Sequence, residues 1–158
     1  MGRSGEWPSP ETHQTMFLGE FRFALDEKYR LTVPAKFRPR LSAGVILTSG
    51  ADACILAYPM DEFSVVYDKI TALPLTGPDA AEFRRLMFMN ATDVELDKQG
   101  RVVLPESLRA YAGITANDVV VVGVGKFIEI WSPDRWQVVK AKVQDAETQR
   151  VIWAKLGI

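Results

Sequence analysis

The sequence predicts an α+β fold, mainly β, in which two copies of one unit pair about a pseudo-two-fold axis and share a core. The first observation is a self-match. Residues 17–38, FLGEFRFALDEKYRLTVPAKFR, align without a gap on residues 88–109, FMNATDVELDKQGRVVLPESLR, about 71 positions later. Phe17 falls on Phe88, Leu25 on Leu96, Asp26 on Asp97, Arg30 on Arg101, Pro34 on Pro105 and Arg38 on Arg109. After a slip of two in register, Tyr58–Phe63 lies on Trp131–Trp136. A self-match of this length marks a duplicated structural unit, and two copies are too few for a solenoid. The second observation is a run of short β-branched segments bounded by turn residues. The third is size. At 158 residues the chain suits one domain, or two small intertwined ones, with enough length to bury a core.

Each copy carries the same elements in the same order. A strand comes first, Phe17 to Leu25, where Phe21, Phe23 and Leu25 alternate with Arg22 and Ala24. Its counterpart, Thr92–Leu96, alternates less clearly. A tight turn comes next, Asp26-Glu27-Lys28-Tyr29 or Asp97-Lys98-Gln99-Gly100. Gly100 tolerates the positive φ that such a turn requires. Tyr29 holds the equivalent place, so the first turn is either strained or of another type. The chain runs on as a β-branched strand, Arg30–Val33 or Arg101–Leu104, to a proline suited to the first position of a short helix. Gly44 and Gly113 stop these helices. Two further strands come after, Val45–Thr48 with Ala53–Tyr58, and Val119–Val122 with Phe127–Trp131. Gly50 and Gly123–Gly125 are expected to supply their hairpin turns.

A helix closes each copy. In the first, Asp61 is the expected N-cap and Phe63, Val66, Ile70 and Leu73 line one face. In the second, Ser132-Pro133-Asp134 is a cap-plus-proline start, with Trp136, Val139 and Val143 on one stripe, and 133–156 reads as one ordered helix. Leu75-Thr76-Gly77-Pro78 breaks the chain near its middle. Asp79 to Met89 then reads as a connecting helix with Phe83, Leu86 and Met87 as its apolar face. The chain divides into an N-terminal extension, 1–15, expected to be disordered; a first repeat, 16–74; a connecting segment with a helix, 75–89; and a second repeat, 90–158, with a C-terminal helix.

Composition removes several function classes. No run approaches the roughly 18 apolar residues of a membrane helix, and the polar start lacks a secretory h-region. Cys54 is the single cysteine, which excludes an internal disulfide and fits a reducing cytoplasm. His13, the single histidine, lies in the polar leader, which disfavours a zinc site or a histidine-based triad. No catalytic set converges, so the chain does not read as an enzyme, and no metal or cofactor is implied.

Net charge is −1, but the charge is unevenly placed. Residues 16–40 hold Arg22, Lys28, Arg30, Lys36, Arg38 and Arg40 against Glu20, Asp26 and Glu27. A basic face on an acidic body is a phosphate-binding footprint; an exposed strand and helix that merely happen to be basic is the alternative. Asp-x-x-x-Arg is the constellation that matters. Across a tight turn Asp26 can pair with Arg30, and Asp97 with Arg101. The carboxylate then orients a guanidinium for bidentate reading of phosphate or guanine. Alternatively each pair is a solvated bridge worth under ~1 kcal/mol. Lys28, Lys36, Arg38, Lys98 and Arg109 could reach the same surface.

LDEKYRLTVPAKFR and LDKQGRVVLPESLR resemble the AbrB-type (SpoVT–AbrB) DNA-binding motif. Two such copies, opening on Met16-Phe17-Leu18-Gly19-Glu20, resemble the MraZ family of bacterial transcription regulators over residues 16–150. The resemblance implies a swapped-hairpin, double-split β-barrel with short peripheral helices. It implies a cytoplasmic, nucleoid-associated homo-oligomer closed into a ring and unconnected with membranes. Its ligand would be double-stranded DNA, as short G-rich direct repeats at the promoter of the cell-division and cell-wall gene cluster, usually repressed. Carried over by motif, the resemblance gives Arg30 and Arg101 as DNA-binding residues oriented by Asp26 and Asp97. The placing of the basic residues adds Lys28, Lys36, Arg38, Lys98 and Arg109, and makes the more basic first copy the expected main surface. Tyr29 departs from the family's usual glycine, and residues 1–15 precede its usual start. An antitoxin-like protein and a scaffold on the same fold are the alternatives. Trp131, Trp136 and Trp153 read as core or interface packing, as do Met87 and Met89.

Overall fold

The structure is a computed structural model that describes residues 16–74 and 76–158. The leader, with His13, and Leu75 of the predicted chain break lie outside the described residues. Copy one comprises β1 (Phe17–Ala24), β2 (Arg30–Thr32), two 3-10 turns (Ala35–Phe37 and Pro39–Leu41), β3 (Val45–Ser49), β4 (Ile55–Pro59) and α1 (Met60–Thr71). Helix α2 (Pro78–Met89) leads to copy two: β5 (Thr92–Val94), β6 (Arg101–Val103), α3 (Glu106–Ala112), β7 (Asp118–Gly125), β8 (Ile128–Trp131), α4 (Pro133–Val143) and α5 (Ala146–Leu156).

The strands form one six-stranded antiparallel sheet, ordered β1-β7-β8-β4-β3-β5, and a separate β2–β6 ribbon. Replacing each strand by its repeat mate, β1 by β5, β3 by β7 and β4 by β8, reverses this order onto itself. The pseudo-two-fold therefore passes between β4 and β8 and through the ribbon. First strands are exchanged, since β1 pairs with β7 of copy two and β5 with β3 of copy one. The sheet is open, not the closed barrel that the resemblance implies. Among the described residues β1 and β5 are the edges of the sheet, and β2 and β6 pair with each other.

Side-chain alternation sorts the core into two layers. Val45, Leu47, Ile55, Ala57, Val119, Val121, Ile128 and Ile130 face one side of the sheet and pack with Leu31, Val33, Val102 and Leu104 from the ribbon segments. Ile46, Leu56, Tyr58, Val120 and Trp131 face the other side, under Ile70 of α1, Met87 of α2 and Trp136 of α4. Phe17 seals the first layer edge-on against Phe37, with ring centroids 5.1 Å apart, an arrangement worth ~0.5–1.5 kcal/mol beyond burial.

Several local expectations change. The helix predicted after Pro34 is two 3-10 turns, because Pro39 lacks the N–H that an α-helix would bond there. Its counterpart Ala110 lets α3 form. Pro34 and Pro105 are N-caps rather than first helical residues. Pro59, not Asp61, caps α1, and Asp61 bonds Arg40 instead. Gly125 (φ +92°), the last residue of β7, starts the turn to β8, but Gly123 is paired inside the strand, opposite Gly19 and Ile128. A Cβ on Gly123 would come 2.5 Å from the Leu18 nitrogen, so glycine there permits β1 to approach. The predicted 133–156 helix breaks after Val143, where Asp145 takes extended backbone and accepts from the Thr148 amide at 2.9 Å. Met87 is core as expected, whereas Phe83 and Met89 are exposed, and Trp153, read as core or interface packing, lies outside the core.

Candidate nucleic-acid interface

The two Asp-x-x-x-Arg turns fold alike. Asp26 Oδ1 accepts from the Lys28 and Arg30 amides, both at 2.9 Å, and its Oδ2 accepts from Arg30 Nε at 2.6 Å. Asp97 Oδ1 accepts from the Gln99 and Arg101 amides, again at 2.9 Å, and its Oδ2 from Arg101 Nε at 2.8 Å. The carboxylate thus stands in for a backbone acceptor inside the turn, a short-range device that aspartate favours. Bonding from the Arg30 amide above all, then from the Arg30 guanidinium and the Lys28 amide, holds Asp26 below its ordinary value of 3.8. The Arg101 amide leads the same effect at Asp97.

Tyr29 settles the question of the first turn. Its φ is +59°, against +77° at Gly100, so the two turns share one backbone form and the tyrosine bears the strain. A left-handed conformation costs a non-glycine residue roughly 1–2 kcal/mol. The turns also extend the ribbon: Leu104 N–H donates to the Tyr29 carbonyl at 3.0 Å, and Val33 N–H to that of Gly100 at 2.9 Å.

A tight turn does not here make a hairpin, because β1 enters the sheet while β2 turns away to pair with β6. That departure brings the two motifs together. Antiparallel register sets Arg30 opposite Val103 and Thr32 opposite Arg101. Leu31 and Val102 point into the core, so the outer face presents Arg30, Thr32, Arg101 and Val103. Arg101 Nη1 lies 3.8 Å from Asp26 Oδ2, which links the pairs across the pseudo-two-fold. With both side chains reached by solvent, the Arg30–Asp26 pair is screened and adds little to stability. What the bonds provide is direction: each Nε is held by its aspartate, which keeps each guanidinium in one orientation at the ribbon's outer face.

The remaining predicted cations fall into two groups. Lys28 and Lys98 are exposed in the turns at opposite ends of the ribbon. Arg38 Nε donates to the Val33 carbonyl at 3.0 Å and Arg109 Nε to that of Leu104 at 2.9 Å, which anchors both beside the ribbon ends. Arg109 lies over the Tyr29 ring, 3.5 Å from its centroid. Lys36 is elsewhere, 4.6 Å above the Phe21 ring on β1. Arg40, part of the basic run, is engaged by Asp61 at 2.7 Å and Glu62 at 3.3 Å. Sequence reasoning missed Thr32 and Val103, which strand alternation alone would have put on the outer face. It missed Tyr29 as the platform for Arg109, for which the sequence carries no local signal.

Among the described residues no group of histidine, cysteine, aspartate and glutamate is placed to hold a metal ion. No described helix is long and apolar enough to cross a membrane. Burial pushes the Cys54 thiol up to about 12, so it is no nucleophile at neutral pH.

The family described as "MraZ protein, putative antitoxin-like" matches the chain twice, over residues 16–86 and 87–151. A Herpetosiphon aurantiacus protein named "Transcriptional regulator MraZ" is 55% identical over 124 residues, covering 78% of this chain and 86% of its own. Proteins of the same name from Thermomicrobium roseum and Clostridium beijerinckii are 48% and 49% identical over 121 residues, covering 77% of this chain and 84% of their own. With two family matches that together span most of its length, and relatives near half identity, the chain belongs to the MraZ family.

Proposed function

We propose that this protein is a transcription regulator, not an enzyme, that holds double-stranded DNA on the β2–β6 ribbon. The name that its relatives carry supports regulation. The observation that carries DNA binding is the joining of two aspartate-held arginines on the outer face of one two-stranded ribbon. A major groove about 12 Å wide admits such a ribbon. Arg30 and Arg101, fixed at Nε, offer their terminal nitrogens to guanine O6 and N7. Lys28, Lys98, Arg38 and Arg109 flank them as phosphate contacts, and Lys36, over Phe21, would reach only a flanking phosphate.

Net charge of −1 leaves one ribbon a weak binder. Several ribbons in a closed ring on successive G-rich direct repeats gain by effective concentration. In this reading the protein is a cytoplasmic, nucleoid-associated repressor at the promoter of division and cell-wall genes. Binding to a labelled fragment upstream of its own coding sequence, at two salt concentrations, tests it. Specific, salt-sensitive binding is expected. Arg30→Ala and Arg101→Ala should each cost ~1–3 kcal/mol. A much larger loss from Arg30→Ala makes copy one dominant; no specific binding by the wild type overturns the reading. A monomer that binds as tightly as the oligomer removes the ring from the mechanism.

One observation favours a second reading, an antitoxin-like protein that also holds a partner through its tail. Helix α5 buries none of its residues, and Val151, Trp153, Leu156 and Ile158 are each more than half exposed. Deleting 146–158 separates the readings: DNA binding and assembly both unchanged would leave α5 to a partner.

A further inference from the structure

The two ends of the ribbon are not chemically equivalent. At one end Arg38 lies directly against Gly100: a Cβ there would be 2.6 Å from the Arg38 Cδ and Cζ, and nearer still to Nε. The guanidinium therefore occupies the space that a side chain would take. At the other end that space is filled by Tyr29, whose backbone has the same left-handed form. Arg109, the repeat mate of Arg38, cannot take its mate's position. It keeps the same anchor, Nε to the carbonyl five residues earlier, but its guanidinium is lifted onto the tyrosine ring, 3.5 Å from the centroid. Tyr29 as a residue remains 45% exposed, at the surface beside the cation.

We propose that Tyr29 is a positioning residue that gives the ribbon a polarity, so that each chain engages duplex DNA in one orientation only. This rests on the reading of the ribbon as the DNA-binding surface. Stacking on an aromatic face holds a guanidinium flat and restricts its rotation. One end thus offers a raised, fixed arginine plate with an exposed ring, and the other an arginine sunk against backbone. A symmetric ribbon would accept a site in either direction. A polar one meets the phosphates at its two ends at different heights, and its two orientations on an asymmetric sequence differ in energy.

Phosphate-ethylation interference on the full-length protein bound to its own upstream DNA reads this directly. Wild type should give different interference at the two ends of each bound site. Tyr29→Gly lets Arg109 drop into the position Arg38 holds, and the difference between the two ends should shrink. Tyr29→Phe keeps the ring and should retain the wild-type pattern. Glycine suits the turn, so Tyr29→Gly should melt no lower than wild type, and a changed pattern cannot then be ascribed to unfolding. A symmetric wild-type pattern, asymmetry undiminished in Tyr29→Gly, or asymmetry equally diminished in Tyr29→Phe overturns the inference and leaves DNA binding standing. Wild-type protein that binds no DNA fells both.

Discussion

The two copies of the repeat agree where their bonds are local and part where they depend on segments farther along the chain. The aspartate-to-guanidinium bond is 2.6 Å in one turn and 2.8 Å in the other, and the arginine anchors are 3.0 and 2.9 Å. All of these join residues at most five apart, so a preserved Asp-x-x-x-Arg carries its geometry with it. The first strands behave differently. Phe17 opens an eight-residue strand, but its match Phe88 ends up in α2, which runs to Met89 and leaves β5 only three residues. Similarity of sequence did not make those segments similar, because α2 meets a docking surface. Met87 is buried, and Thr48 Oγ1 donates to its carbonyl. Helix α5, which also comes after a copy's closing helix, has no such anchor.

Damage to the shared ribbon should be most severe at its base. Leu104→Ala, at a site with no solvent exposure, should cost about 2–5 kcal/mol in urea unfolding. Val33→Ala, its mate, should cost less because a smaller side chain is lost. Next, Ala110→Pro gives α3 the proline of copy one and should cost about 3 kcal/mol, with faster amide exchange over 106–112. If it costs nothing, Pro39 is not the cause of the 3-10 turns. Thr48→Val, which leaves the buried Met87 carbonyl short of a donor, should cost about 1–3 kcal/mol. Loss of α2 protection without loss at α4 would confirm that this bond holds one copy's helix alone.

Acid gives the smallest effect and the sharpest test of equivalence. Both turn carboxyls titrate below 3.8 when folded. Their depressed values mean that each turn contributes stability above that pH and loses it as the pH falls through the folded value. Asp26→Asn and Asp97→Asn should therefore each flatten the acid limb of the urea midpoint, and by similar amounts. A clear difference would show that the strained Tyr29 turn leans on its carboxylate more than the Gly100 turn does.

Much of this was legible in the residues. The gapless match predicted the pairs Asp26 with Arg30 and Asp97 with Arg101, because aspartate's reach decides them within five residues. With Tyr29 at the fourth position it left the form of the first turn open, and the φ of +59° decided it. Alternation in Phe21, Phe23 and Leu25, and the stripe Phe63, Val66, Ile70 and Leu73, predicted buried faces, since period reports which side of an element is apolar. Lys36 and Arg40 were grouped with the motif arginines by proximity along the chain. Their fates, over Phe21 and between Asp61 and Glu62, were set by elements that the charge count could not place.

By itself, then, the sequence determined the duplication, the order of elements and the aspartate-locked turns, all consequences of short-range sterics and hydrogen bonding. Only the tertiary structure decided which strand meets which. A backbone edge is chemically generic, and period two names a face but not a partner. So the exchange of β1 and β5, the open sheet, and the fusion of two motifs into one ribbon with unlike ends emerged only when segments far apart in the chain were packed together.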